Sequence, residues 1–572
     1  MKKQGLARRL TEYGDQDFAL FLRRSFALSM GFTSQALGKP IIGIVNTYSD
    51  LNNCHRGFRD LAEAVKRGVW QAGGLPLEFP VMSLGEVFLH PTSMLYRNLM
   101  AMDVEALLRA QPLDAVVLMG GCDKTLPALL MGAASAGLPA IALAAGPMLT
   151  GHFREERLGA CTDCRRFWAM YRRGEIDAEA LSQVEGQLAP TAGTCAVMGT
   201  ASTMACVIEA LGMMLPGGAS VPAVHADRLR HGEMTGQRAV ELARTATTPD
   251  QIMTPDAFDN ALRVLQAIGG STNGIIHLTA IAGRLGIRLD LARLDELGEV
   301  TPVLVDLKPS GEGYMEDFDR AGGMPVVLHE LKPWLHLDAL TVTGHTLGEQ
   351  LHGPYTWPAW QHVIRRAGDP LQPQGGLVVL RGNLAPNGAV LKRSAASPNL
   401  LNVTGRAVVF TSLSDLAARI DDPALDVRPE DILVLQNSGP LGAPGMPEAG
   451  YLPIPKKLAG VRDMVRISDA RMSGTAFGTV VLHISPEAAA GGPLGLVRDG
   501  DQIELSVAKR QLKVLVDDRT LEARRAEQPP AFSIPRRGYE RLYLQAVQQA
   551  HLGADFDFLR HESLQAGDGG EG

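Results

Sequence analysis

Ala115-Val116-Val117-Leu118-Met119-Gly120-Gly121-Cys122-Asp123-Lys124-Thr125 is the stretch on which the reading of this chain turns. Five apolar residues of strand type run into two glycines and then into a thiol, a carboxylate and an amine. From Leu126 to Ala136 the pattern becomes helical, so the turn lies where a buried strand meets a helix. Thiolates suit iron–sulfur clusters and carboxylates suit magnesium. One loop thus offers donors for two kinds of metal, which points to an enzyme rather than a scaffold.

Working outward, the first half alternates between strand and helix patterns. Ile41 to Val45 is a short apolar run, followed by a polar loop and Cys54, and a helical pattern then ends near Gly73-Gly74. Leu77 to Met82 reads as a second strand, weakened by Pro80, with Glu86 just after it. A helix over 93–109, the strand 115–119 and a fourth strand, Pro139 to Leu143, complete the series. This spacing predicts an α/β fold, a parallel sheet with helices on both faces. Ligands of such sheets collect beyond the carboxyl ends of the strands. Cys54, Glu86 and Cys122-Asp123-Lys124 each follow a predicted strand, so they are expected to converge on one edge.

The section 200–365 reads as mostly helical, with helices over 201–215 and 258–267. A change comes at Pro370-Leu371-Gln372-Pro373-Gln374-Gly375-Gly376, after which β-like runs occupy 377–380, 406–410, 432–435, 479–484 and 502–507. The chain therefore divides into an α/β domain, 1–370, and a β-rich domain, 371–572.

The net charge of −7 provides no basic field for nucleic acid and no polybasic patch for a membrane surface. Apolar stretches are broken well short of a membrane span. The basic start, Met1 to Arg9, is not followed by an apolar signal core, so a cytoplasmic location is expected. The six cysteines do not make a disulfide framework. The polar, Gly-rich tail from Gln565 to Gly572 is expected to be disordered.

Cys54, Cys122 and Cys195 sit in polar or Gly-rich loops, whereas Cys206 lies inside an apolar run, as a core cysteine does. The loop cysteines are candidates for cluster ligation, with three unrelated buried thiols as the alternative. Three thiolates rather than four would leave one iron with an open position. Cys161-Thr162-Asp163-Cys164 is a CxxC in an Arg-rich stretch without a second CxxC or paired His, which argues for a structural role. Glu86, Asp123 and Glu448 are candidate oxygen ligands for a hard cation; Glu448 ends a rigid Gly- and Pro-rich loop, 439–448. Ser473, in Asp469-Ala470-Arg471-Met472-Ser473-Gly474-Thr475, is a candidate nucleophile, base or turn residue without the G-x-S-x-G elbow of a hydrolase. Gly269-Gly270-Ser271-Thr272-Asn273 could cradle an anion at a helix start.

Taken together, Gly121 to Thr125, Gly193-Thr194-Cys195 with Met198 to Met204, Gly269 to Asn273, Gly382-Asn383-Leu384-Ala385-Pro386 and Arg471-Met472-Ser473-Gly474 resemble the dihydroxy-acid and sugar-acid dehydratase family. Ser468 to Ala476 is most similar to the pentonate branch, which includes arabinonate dehydratases. The resemblance implies an α/β domain followed by a swivelling β-barrel-like domain, assembled as a homodimer or homotetramer. It implies a [2Fe-2S] cluster, rather than [4Fe-4S], on Cys54, Cys122 and Cys195. It also implies Mg2+ on Glu86, Asp123, Glu448 and Lys124, the last as a carbamate, and Ser473 as the base. On this division the 1–370 domain carries the cluster and most magnesium ligands, and 371–572 carries the catalytic serine. The implied reaction turns aldonates into 2-keto-3-deoxy acids. A branched-chain dihydroxy-acid dehydratase and an inactive iron–sulfur binding or sensing protein are the alternatives.

The chain departs from the family at three points. His55 follows the first cluster cysteine where many members carry Asn. Pro309-Ser310-Gly311-Glu312 ends in an acid, and Leu441 is apolar, where relatives often carry Lys. If Glu312 faced the pocket, its charge would disfavour a substrate with an anionic far end.

Overall fold

Strands buried on both faces read as continuous apolar runs, and the first domain is built on three of them. In the computed structural model, which describes residues 4–353, 355–527 and 532–565, β1 (Ile41–Asn46), β3 (Ala115–Gly120) and β4 (Ala140–Ala144) are buried throughout. β2 (Leu75–Pro80) is buried only at its start and forms the edge of the sheet. It begins two residues before the run expected from the sequence and includes Pro80, an edge position where a missing N–H costs no ladder bond. The four strands are parallel in the order β2-β1-β3-β4. After β1 the chain moves to one side and then returns to the other, so a topological switch point lies between β1 and β3. Helix Thr125–Ala136 follows β3 and ends at Gly137, whose φ of +61° gives the left-handed cap. The helix expected over 201–215 stops earlier, at Thr200–Ala210.

A two-stranded hairpin, β5 (Gly151–Phe153) and β6 (Glu156–Leu158), precedes the CxxC segment. The second domain is a closed eight-stranded barrel. Its strands are β7 (Leu377–Gly382), β8 (Ala385–Lys392), β9 (Asn402–Phe410), β10 (Ile432–Leu435), β11 (Arg466–Ser468), β12 (Val480–Ser485), β13 (Gln502–Ser506) and β14 (Gln511–Val514). They close in the order β10-β11-β12-β8-β7-β14-β13-β9. Alternation along β7 explains how barrel and sheet share a boundary. Val378 and Leu380 point into the barrel core, while Leu377 and Val379 join the core of the first domain.

Three barrel strands carry weak sequence signals. β8 contains Pro386-Asn387-Gly388, which reads as a turn; β11 has three residues and starts on an arginine; β14 alternates with Gln511 and Lys513. Residues 566–572 of the tail lie outside the described residues, and Gln565 closes a short helix, Glu562–Gln565. No helix among the described residues is long and apolar enough to cross a membrane.

Candidate active site

Every candidate from the first domain is set by the carboxyl end of a parallel strand. Cys54 lies in the 3-10 turn Asn53–His55 after β1, Glu86 in the loop after β2, and Cys122 to Lys124 directly after β3. Cys195 is held to the segment after β4: the Thr194 amide donates to the Gly146 carbonyl at 2.9 Å, and the Met148 amide donates to the Thr194 carbonyl at 2.8 Å. From the barrel, Glu448 and Ser473 lie in the loops after β10 and β11, which are parallel neighbours.

His55 shapes the Cys122 turn. Its Nε2 accepts from the amides of Gly121 and Cys122 at 3.0 and 3.1 Å, so the proton sits on Nδ1, which donates to the Thr47 carbonyl at 2.8 Å. Burial pulls its pKa down to about 4, keeping the ring neutral. Gly121 has no room for a side chain, since a Cβ there would lie 2.6 Å from that of Ala145.

The thiols gather in pairs. The neighbouring Cys122 thiol and burial push the Cys54 thiol well up. Cys195 and Cys161 stand 3.5 Å apart, and that contact and burial raise Cys195 likewise. Cys161, given a structural role on sequence grounds, is thus the immediate neighbour of a candidate ligand. All six cysteines are free thiols.

The acids meet on Lys124. Its Nζ lies 3.1 Å from Glu86 Oε2, 3.1 Å from Asp123 Oδ2 and 3.2 Å from Glu448 Oε1, with the side chain fully buried. Burial and the Arg471 guanidinium pull the Lys124 amine down, but Asp123, Glu448 and Glu86 outweigh both and hold it above the ordinary lysine value. Burial pushes Asp123 up to about 6 despite the adjacent ammonium. Burial also works against the Glu86 carboxylate, yet Lys124, Arg471 and the hydroxyls of Ser93 and Thr92 bring it down to about 2. Among the described residues no group of three His, Cys, Asp or Glu side chains is arranged to hold a metal ion. In this geometry the charge that draws the carboxylates together is the lysine's own.

Arg471, which the sequence reading quoted without a role, joins the two domains at this point. Its Nη1 reaches Glu448 Oε1 at 2.6 Å and its Nη2 donates to Thr92 Oγ1 at 2.7 Å, and the residue is buried. Arg471→Met is therefore expected to destabilise the chain by about 3 kcal/mol, the scale for breaking a buried ion pair. Urea denaturation checks this, and an unchanged midpoint would contradict the bridging role. Thr92 and Ser93 also contribute by donating to Glu86, and His55, marked in the sequence only as a departure from the family, contributes through the Gly121 and Cys122 amides.

Ser473 is nearly buried, with its Oγ 2.8 Å from Thr475 Oγ1 and accepting from the Thr475 amide at 3.3 Å. The loop is tied to the acids through side chains: the Gly474 amide donates to Thr200 Oγ1 at 3.4 Å, Asn273 Nδ2 to Thr200 Oγ1 at 3.1 Å and to Glu448 Oε1 at 3.3 Å. A Cβ at Gly474 would sit 2.7 Å from the Thr200 nitrogen, so only glycine allows this approach. Asn273 Oδ1 is buried without a hydrogen-bond partner among the described residues. Asp469 accepts from the Ser438 and Ala488 amides at 2.9 Å each, pinning the loop that carries Glu448 to the one that carries Ser473.

A cavity of about 960 Å³ opens beside Glu448, Tyr451 and Phe477. Glu312 does not line it: that residue is exposed, and its amide donates to Asp306 Oδ1 at 2.8 Å. Leu441 packs in an apolar cluster with Leu95 and Tyr543.

Comparison with known proteins agrees with this architecture. Residues 39–350 match the dihydroxy-acid/6-phosphogluconate dehydratase N-terminal model, and 362–554 match its C-terminal counterpart. The chain is 50% identical to an L-arabinonate dehydratase of Rhizobium leguminosarum bv. trifolii, over 96% of this chain and 95% of that one. An L-arabonate dehydratase of Azospirillum brasilense is 49% identical over 96% of each chain. A 6-deoxy-6-sulfo-D-gluconate dehydratase of Pseudomonas putida is 48% identical over 92% of this chain and 91% of its own. The chain belongs to the dihydroxy-acid/6-phosphogluconate dehydratase family and is a dehydratase, a hydro-lyase.

Proposed function

We propose that this enzyme converts sugar acids (aldonates) to 2-keto-3-deoxy acids. Cys54, Cys122 and Cys195 would hold a [2Fe-2S] cluster, and Glu86, Asp123, Glu448 and carbamylated Lys124 would hold Mg2+. The observation that carries this reading is the convergence of three carboxylates on one buried lysine, beside a group of thiols.

The donor types present suit both groups, with the acids gathered on Lys124 rather than spaced around an ion. The soft donors and the hard donors are separate sets that meet at the Cys122–Lys124 turn. The unpartnered Asn273 Oδ1 beside Glu448 offers a further acceptor. Exchanging the single positive charge of the ammonium for the negative charge of a carbamate plus the two of a dication leaves the net charge of the buried site unchanged. Carbamylation joins the Lys124 nitrogen to CO2 and releases protons, so the amine must first give up the proton that the three acids hold on it.

When bound, the metals would supply Lewis acidity, magnesium at the C1 carboxylate and 2-hydroxyl and the cluster at the departing 3-hydroxyl. Ser473 Oγ removes the proton from C2, the C–H electron pair becomes the C2–C3 double bond, and the C3 hydroxyl departs with the C–O electron pair and takes up the proton carried by Ser473 to become water. The enol then tautomerises to the 2-keto acid. A serine is a weak base unless its alkoxide is stabilised. The Thr475 amide and hydroxyl face Ser473 Oγ for that purpose.

A branched-chain dihydroxy acid would call for an apolar wall alone, whereas the cavity beside Glu448 sets several arginines among Trp168, Leu452, Ile454 and Phe477. The test is anaerobic purification with a keto-acid assay over a panel of aldonates and 2,3-dihydroxyisovalerate. Turnover of aldonates is expected. Turnover of the branched-chain acid alone would replace this reading, and no turnover with full iron, sulfide and magnesium would favour an inactive binding protein.

A further inference from the structure

The cavity beside Glu448 is lined by six cationic side chains and two acids, Glu175 and Glu448. Arg165, Arg166, Arg172 and Arg173, from helix Thr162–Arg172 and its cap, face Lys456 and Arg462 from the long loop between β10 and β11. Most of the helix arginines are already committed to carboxylates. Arg172 is held by Asp421 at 2.7 Å, Arg173 by Glu175 at 2.6 Å, and Arg166 by Glu156 and Asp163 at 2.6 and 3.1 Å.

Arg165 differs. Among the described residues its guanidinium pairs with no carboxylate; it lies over the Tyr451 ring at 5.0 Å, and its Nε is buried without a hydrogen-bond partner. Arg165 lines this cavity on one side and, on the other, a hollow that it shares with Cys161 and Cys164. A buried guanidinium donor left unpaired is costly unless a ligand satisfies it, and the planar guanidinium suits the paired oxygens of carboxylate, phosphate and similar anions.

We propose that this cavity selects sugar acids bearing a second anionic group at the end remote from C1, and that Arg165 is the residue that reads that group. This rests on the sugar-acid dehydratase reading. With C1 and C2 at the Glu86–Asp123–Glu448 acids, the far carbons would enter the cavity that Glu448 itself lines. Sulfonate, phosphate and carboxylate share the required chemistry, and the substrate panel separates them. The exposed position of Glu312 removes the charge argument that the sequence raised against such a substrate.

The test uses the loaded enzyme and a set of six-carbon acids that differ only at C6, where the group is hydroxyl, sulfonate, phosphate or carboxylate. At least one anion-ended acid is expected to exceed the hydroxyl-ended acid about tenfold or more in kcat/KM. Arg165→Gln should raise KM for that acid by about tenfold, leaving its kcat and the hydroxyl-ended KM within about twofold, and Arg165→Lys should recover part of the loss. Visible absorbance equal to wild type shows that the variant loads its cluster. Preference for the hydroxyl-ended acid overturns the proposal. So does a KM rise shared equally by all acids, because Arg165 would then serve the common C1 end or the structure.

If no acid is dehydrated, the dehydratase reading fails separately, and calorimetric titration with the 6-sulfo acid still decides the matter. Tighter binding than for the hydroxyl-ended acid, lost in Arg165→Gln, supports the proposal; equal binding overturns it.

Discussion

Lys124→Gln is expected to abolish turnover and to cost the metal-free chain about 3–5 kcal/mol of stability, the range for stripping the partner from buried charge. The amide cannot become a carbamate, and three carboxylates lose the ammonium on which they converge. The deficit should depend on pH in a definite direction. Burial already pushes Asp123 up to about 6 in the presence of the lysine, and removing that positive charge pushes the folded acids further up. A folded state that binds protons more tightly than the unfolded chain loses stability as pH rises through the interval between the two pKa values. The penalty is therefore largest at and above neutral pH and shrinks on acidification below about 6. Urea denaturation at pH 5 and pH 8 measures this. Lys124→Arg separates the roles, since it restores the charge but not the carbamate: stability should return and activity should not. Full activity in either variant would remove the carbamate from the scheme.

The second large effect is expected at Ser473. Replacing it with alanine should lower kcat by about 10²–10⁴-fold, the range for losing a positioned proton-transfer group. The cost in stability should stay near 1 kcal/mol, because among the described residues the hydroxyl bonds only to its own loop, at Thr475. Cluster absorbance should be unchanged. Exchange of the C2 proton with deuterated solvent gives an independent readout. It should stop in the variant, whereas exchange at the wild-type rate would show that another group takes the proton.

How far these features were legible depends on where each residue finds its partners. β1, β3 and β4 announced themselves because a strand buried on both faces has no polar positions to blur it. β8, β11 and β14 did not, since proline, arginine or alternating polar residues interrupt them and only barrel closure makes them strands. The turn after β3 was legible as chemistry because its donors are consecutive in the chain. Arg471 and His55 were quoted without a structural role, because each acts on groups brought near only by folding, Thr92 for one and the Cys122 amide for the other. The charge of the cavity was misplaced for the same reason. Glu312 is exposed, while the cations come from the arginine-rich helix that carries the CxxC, whose side chains meet Lys456 and Arg462 only on folding.

The lysine between the three acids also bears on how such an enzyme is made. A small zinc domain has no stable fold until its ion arrives, so synthesis and metal supply are bound together. Here Lys124 serves as the acids' own counter-ion, and the polypeptide can finish folding and wait. On the proposed reading, loading becomes an exchange within a finished protein, with a proton traded for carbon dioxide and a dication. Maturation, repair after metal loss and reloading would then share a single chemistry, and none of them would require the chain to unfold.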